Sequence, residues 1–487
     1  MSRRVVAGLS TAALILTAVP AAANSASVRV PASSFPLGSG GLANRTSSAV
    51  APGVTLFQVR QGAASQGWTA TVILNGGRDY GMRTTAEAKA QEVQDAGFDA
   101  RVEPIVRPAV ADHPAEEIYM VRVGLWSLKQ RAKADKMVKE LKKADITAKA
   151  DYIGDDGAET TGPWNIRVLT VDPKTFRGGF RASLGTSVAK RETTSAMSKQ
   201  VGAIAGINGG FFNIHTSPAL RGEPVGISVV GGRLLSEAVA GRSALVVQGR
   251  KAKITELKSG MSVSSDNGNH SPVHGVNRAA KFDELVLYTA EYGAKTPKDG
   301  GTDAVIDTNG KIVQLRPAGG AVPKGSRVLH GSGVGAGWIQ DNLLQGSAVT
   351  FPTQVIDLRT NRTIPLNPDT HIVGGGVGLV RNGKVHVTAK ADGHASVNMI
   401  LRRHPRTLLG VTKSGGLILA VVDGRNPGIS VGASFTEAAK LMRWLGAHQA
   451  INFDGGGSSA MVVNHKVVNR PSDGAERPVG DAFFITR

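Results

Sequence analysis

The chain has 487 residues, 41% of them hydrophobic, which is enough for two or three globular cores and too long for a single one. Its 61 glycines and few aromatics favour sheet with tight turns over helical bundles. A formal charge of +19 points to anionic surroundings, and the absence of cysteine excludes disulfides, a thiolate metal site and a thiol nucleophile.

Arg3 and Arg4 precede an apolar stretch from Val5 to Val19, followed by Pro20 and the small residues Ala21 to Ala23. This is the layout of a secretory signal, assigned to residues 1–26, and the apolar run is shorter than the ~20 residues of a spanning helix. No later stretch is long and apolar enough to cross a membrane, so no integral span is expected after signal removal. Residues 27–53 are mostly Ser, Ala, Gly and Pro, and read as a flexible tether.

Residues 54–155 contain one pattern twice. An alternating strand, WTATVIL (Trp68 to Leu74), leads to the helix Thr84 to Gly97 and the strand Phe98 to Pro104. YMVRVGLW (Tyr119 to Trp126) then leads to the helix Ser127 to Ala144 and the strand Ile146 to Ile153. Hydroxyl residues open both helices, and Gly97 and Asp145 end them. The order β-α-β-β-α-β is ferredoxin-like. The wording YMVRVGLWSLKQRAKADKMVKELKKADITAKA resembles the SPOR family, and that resemblance implies binding to the glycan strands of peptidoglycan.

A linker rich in Asp, Gly and Thr, Gly154 to Gly162, leads to a domain spanning 162–487. Short apolar runs such as WNIRVLTVD, LILAVVD and AINFD alternate there with Gly, Pro and Asn turns, so a sheet-dominated α+β fold follows. The clearest helix is Ser434 to Gly446, with Ser434 or Thr436 as its cap and Gly446 as its stop. Arg403 to Arg425 reads as a hairpin turning at Ser414, Gly415 and Gly416.

Three strand ends carry the polar groups that chemistry would need. In AINFDGGGSSAMVVN a strand stops at Asp454, three glycines allow a sharp turn, and Ser458 and Ser459 follow, so several N–H groups and a carboxylate can face one ligand. In AIAGINGGFFN a strand runs into Asn208 and Gly209, and Phe211 and Phe212 are either core or a stacking face. The hairpin brings His404, Arg406 and Thr407 at one end and Asp423 to Arg425 at the other.

NGGFF, HPRT, VVDGR, the helix SFTEAAKLMRWLGAHQAINFDGGGSS and the closing VVNRPSDGAERPVGDA together resemble the phosphodiester glycosidase family. The likeness runs from about Gly162 to Arg487 and is densest after Val373. It implies hydrolysis of an α-linked N-acetylglucosamine 1-phosphodiester, releasing free sugar and a phosphomonoester. The residues suit that reaction. A phosphate monoester leaves with little acid help, so the site needs charge stabilisation above all. Asp454 and Asp423 are the candidate carboxylates, and Arg406, Arg470 and Arg477 the candidate phosphate ligands. Asn208, Gly209, His404, Thr407, Gly455, Gly456, Ser458, Ser459 and Asn469 would orient the sugar, the phosphate or the attacking water, His404 doubling as a candidate acid or base. No cofactor is called for. Asp423, Asp454 and nearby carbonyls are the one place for a hard cation such as Ca²⁺.

The expected protein is secreted and wall-associated, with peptidoglycan strands and an anionic sugar-phosphate polymer as partners rather than nucleic acid. Three alternatives stand beside this reading. The linkage cleaved could lie in another wall polysaccharide, or the chain could bind wall glycan without cleaving it. Ser187-Val-Ala-Lys190, Ser265-Asp-Asn267 and Lys413-Ser-Gly415 also mimic, in order, the motifs of serine acyl-enzymes of peptidoglycan.

Overall fold

The computed structural model describes residues 30–31, 35–38, 43–157, 159–214 and 221–487, so the signal expected over 1–26 lies outside the described residues. Part of the stretch expected to be a tether is ordered. Ala43–Ala51 is a strand, joined by a turn at Pro52 and Gly53 to Val54–Gln61, which pairs in full register with Trp164–Val171. The composition argument failed because backbone pairing, rather than side-chain burial, holds this strand; most of its residues are exposed. The strand Val54–Gln61, expected in the small module, likewise belongs to the large sheet.

That sheet has eight strands, in the order Ala43–Ala51, Val54–Gln61, Trp164–Val171, Leu417–Val422, Arg406–Thr412, Ala447–Asn452, Gly378–Arg381 and Lys384–Val385. The expected hairpin forms its centre, turning where Gly415 takes φ of 87°. One face packs on a five-stranded sheet that includes Ala203–Asn208, Met461–Val463 and Ala482–Thr486. Leu409, Leu419, Val421 and Ile451 meet Ile207, Met461, Phe483 and Ile485 there. The other face is covered by the helix Phe435–Trp444 through Phe435, Ala438, Ala439 and Met442. Ser434 caps this helix, accepting from the Glu437 N–H at 3.2 Å while the Glu437 carboxylate accepts from the Ser434 N–H at 2.9 Å. Gly446 ends it at φ of 94°. Two further sheets, of nine and five strands, take up most of residues 228–374. The whole is a sheet-rich α+β fold.

The module has the β-α-β-β-α-β order read from its two copies. Its antiparallel sheet runs Ala100–Arg107, Glu116–Trp126, Trp68–Val72, Ala148–Tyr152, with the helices Arg83–Asp95 and Arg131–Lys143 on one face. Ser127 caps the short turn that opens the second helix, and Asp145 ends it at φ of 57°. The first helix has no side-chain cap. The module's other face is not free: Ile118 and Met120 pack on Val397 and Leu401. Arg122, fully buried, pairs with Glu103 at 2.5 Å and Asp156 at 2.7 Å.

The linker read at Gly154 to Gly162 is held at its start. Asp156 also pairs with Arg402 at 3.0 Å, and the Arg403 N–H donates to the Asp155 carbonyl at 2.9 Å. The linker's Asp156 thus meets arginines from both sides of the interface. Among the described residues, no helix is long and apolar enough to cross a membrane.

Candidate active site

The strand Ala447–Asn452 delivers Asp454 to a single turn of 3-10 helix, Gly456–Ser458. Glycine is required at two points of this turn. Gly456 has φ of 60°, and a Cβ on it would stand 3.0 Å from an Arg425 Nη2. A Cβ on Gly457 would overlap the ion pair of Arg477 with Asp473, which rests on it.

Asn208 fixes the loop from below. Its Nδ2 donates to the Asp454 carbonyl at 2.9 Å, and its Oδ1 accepts from the Thr407 hydroxyl at 2.7 Å and the Ala460 N–H at 3.1 Å. The Asp454 N–H donates to the Gly209 carbonyl at 3.0 Å. Asn208, Gly209 and Thr407 were expected to touch substrate. They are instead consumed in tying three strand ends together, since a buried amide takes whatever backbone partners the strand ends leave unpaired.

Asp454 looks into a cavity of about 300 Å³ whose walls include Phe211, His404, Arg406, Arg425, Asn452, Gly455, Gly456 and Arg477. Burial pushes its carboxyl up to about 6, against the pull of the Ser458 hydroxyl, the Gly455 N–H at 2.9 Å and the charges of Arg477 and Arg425. Ser459 contributes through its backbone, its carbonyl accepting from Asn469 at 3.1 Å.

His404 is held down to about 3 by burial and by the charges of Arg406 and Arg425. Its Nε2 meets the Asn398 carbonyl at 3.3 Å, so that nitrogen carries the proton and the ring is neutral near pH 7. A general acid of ordinary strength it is not; Nδ1 remains as an acceptor. Arg406 is buried over the Phe435 ring at 4.1 Å. It donates through Nε to Ala433 at 2.8 Å and through Nη2 to Met399 at 3.1 Å, which leaves Nη1 without a protein acceptor among the described residues. Burial lowers its pKa to about 9.

Asp423 is a correction. It does not line this cavity. Its oxygens accept from Asn165 Nδ2 at 2.5 Å, Asn469 Nδ2 at 3.1 Å and the Arg470 N–H at 3.1 Å, so it buttresses the loop that follows Asn469. Asn469 is equally structural, its Oδ1 accepting from the Met461 N–H at 2.8 Å. The Arg470 side chain opens into a different basin. With Asp423 occupied by N–H donors and apart from Asp454, the suggested cation pair does not form. Among the described residues, no group of three or more His, Asp or Glu stands where a metal could be held.

Arg425 was placed by the sequence at the hairpin's end but given no role, and Asp481 escaped the sequence reading. Arg425 lines the cavity from the end of Leu417–Val422 with φ of 58°, and no carboxylate is within ion-pair distance of it among the described residues. Its place directly after Asp-Gly at a strand end was the available signal. Asp481 is buried beside the loop, its Oδ1 accepting from the Gly210 N–H at 2.8 Å. Burial raises it to about 7, and the Asp454 charge adds to the rise. Of the two phenylalanines, Phe211 faces the cavity, 4.5 Å from the His394 ring, and Phe212 packs against a core.

The acyl-enzyme motifs do not assemble. Ser187 sits in a loop, its hydroxyl donating to the Tyr292 carbonyl at 2.6 Å; Ser265 ends a strand, and Lys413 lies in the hairpin turn.

The model of the phosphodiester glycosidase family matches residues 301–486. The SPbeta prophage-derived uncharacterized protein YomE of Bacillus subtilis is 36% identical over 111 residues, 23% of this chain and 16% of its own length. The N-acetylglucosamine-1-phosphodiester alpha-N-acetylglucosaminidase of Mus musculus is 32% identical over 120 residues, 22% of each chain. The chain thus spans about a fifth or less of the length of these curated relatives. The solved structure of a Burkholderia pseudomallei K96243 protein proposed as exported superposes with a TM-score of 0.83 at 28% identity, covering 94% of this chain and 99% of that one. Residues 301–486, which carry Asp454, Arg425 and the glycine turn, are thus similar to the phosphodiester glycosidase family.

Proposed function

We propose that the chain hydrolyses the bond between a sugar's anomeric carbon and a phosphate, in a sugar 1-phosphodiester of the N-acetylglucosamine type. The observation that carries this reading is Asp454 facing a cavity lined by Arg406, Arg425 and Arg477. In the reaction, Arg425, Arg477 and the free Nη1 of Arg406 hold the phosphate and take up the charge that grows on it as the bond breaks. Asp454, ionised, stabilises the positive charge developing at the anomeric carbon or draws a proton from the incoming water. Phe211 offers an apolar wall to the sugar. His404 accepts a hydroxyl through Nδ1.

The setting proposed is outside the cell, at the wall. The signal-like residues 1–26, the charge of +19 and the likeness of Tyr119 to Ala150 to SPOR modules support it. Since the module's open sheet face is covered by Val397 and Leu401, binding of peptidoglycan strands would use its remaining surface.

The test is hydrolysis of an N-acetylglucosamine 1-phosphodiester by the full chain. Asp454→Asn is expected to lower kcat by about 10²-fold or more, as loss of a charge-stabilising group usually does. Arg425→Ala should cost about tenfold or more in kcat/KM. Wild-type rates in both variants would sink the assignment.

A further inference from the structure

Beside the cavity of Asp454 lies a second, larger basin of about 480 Å³. Arg60, Arg167 and Arg470 line it, and no carboxylate is among its lining residues. The sheet register explains the gathering. Asn44 stands opposite Arg60, and Arg60 opposite Asn165, so one row of side chains crosses three strands on a single face. Arg167 lies two residues along the same face from Asn165, where the apolar inner face of the sheet turns polar.

None of the three guanidiniums has a carboxylate within ion-pair distance among the described residues. Arg167 donates to Asn165 Oδ1 at 2.9 Å; burial lowers its pKa, with the Asp423 charge pulling the other way and the Arg60 charge adding to the fall. Asp423 stands behind Asn165 and Asn469, its oxygens already accepting from N–H groups. Three guanidiniums around one basin, with no ion pair among them and the one nearby carboxylate, Asp423, occupied by N–H donors, are a site prepared for an anion, and three planar forks suit a phosphate's oxygens.

A hydrogen bond links the rim of this basin to the loop that walls the first. Asn469, on its rim, donates to the Ser459 carbonyl at 3.1 Å, two residues beyond Gly457 of the Asp454 cavity. The two residues from Gly457 to Ser459 span at most about 7 Å, and that hydrogen bond closes the rest of the path to the basin's rim.

We propose that the Arg60, Arg167 and Arg470 basin is a second phosphate subsite, which takes the neighbouring phosphate of a substrate carrying successive phosphodiesters. The preferred substrate is then a sugar-phosphate oligomer or polymer rather than an isolated sugar 1-phosphodiester. This rests on the hydrolase reading above, and the test separates the two.

The full chain is assayed with two substrates, one bearing a single phosphodiester at the sugar's anomeric carbon and one bearing two in succession. Arg60→Gln/Arg167→Gln is expected to raise KM for the second substrate at least tenfold, with kcat within twofold and the first substrate unaffected. Equal responses to the two substrates overturn the subsite. Arg60 is exposed, so Arg60→Gln alone serves if the double variant does not fold. Calorimetric titration with inorganic tripolyphosphate reads the basin independently of turnover. A wild-type affinity weakened at least tenfold in the variant supports the subsite even if neither substrate is cleaved, in which case the hydrolase reading alone fails. Unchanged titration overturns it. If added inorganic phosphate at millimolar levels stimulates cleavage of the single-phosphodiester substrate through the same arginines, the basin serves a free anion and the polymer reading is overturned.

Discussion

Asp454 is asked to be ionised in a place that resists ionisation. Its carboxyl is raised to about 6 from an ordinary 3.8, so the folded state holds the proton more tightly than the unfolded chain does. The sign follows: stability is greatest below about pH 4 in this one contribution and declines as pH rises towards 6, while the active, ionised form grows over the upper part of that window. Activity should therefore rise with pH through about 6. Asp454→Asn should melt higher than wild type at pH 7 and not at pH 4, by up to about 3 kcal/mol at the upper end. A variant that melts lower at pH 7 would show the carboxylate to be a structural anchor. Asp454 was legible because a carboxylate before three glycines has few bland explanations. Arg425 was legible as a position but not as a role, and Asp481 not at all, since nothing local shows that one strand end turns its guanidinium towards another, or that a residue near the C-terminus is buried under Gly209 and Gly210.

Among the elements, the helix Phe435–Trp444 and the central hairpin were readable because their signals are local: a capping box, a glycine stop, a glycine turn. Strand ends were readable as positions but not as roles. Asn208 is the instructive case, where an amide at the end of a strand looked like a ligand for sugar and proved to be the knot between Ala203–Asn208, Arg406–Thr412 and the glycine turn. Asn208→Ala would leave the Thr407 hydroxyl, the Ala460 N–H and the Asp454 carbonyl without their partner. We expect a loss of about 2–4 kcal/mol in denaturant unfolding, from unmet buried groups. Unaltered stability with a raised KM would restore Asn208 to the substrate side.

For the whole molecule, the sequence-based boundaries erred where pairing is long-range. Gln61 stands opposite Trp164 in the large sheet, so the module is an insertion between two neighbouring strands rather than a bead ahead of the catalytic part. No periodicity in either strand announces a partner a hundred positions away. The interface carries its own pH dependence. Burial, with Asp156 and Asp151 nearby, raises Asp155 to about 8, and its Oδ1 has no hydrogen-bond partner among the described residues. A raised carboxyl costs stability increasingly as pH climbs from about 4 to 8. Asp155→Asn should raise Tm more at pH 8 than at pH 5; a gain that does not vary with pH would mean the charge is compensated.

That double attachment sets how the two parts can work together. A domain hung on one loose strand of chain sweeps a volume, and whatever it catches arrives at the other domain from any direction. Here chain enters and leaves through adjacent rungs of one ladder, and buried arginines bolt the join, so the aim is fixed. Anything the small part holds would keep one heading relative to the large part, as thread does in a fixed guide.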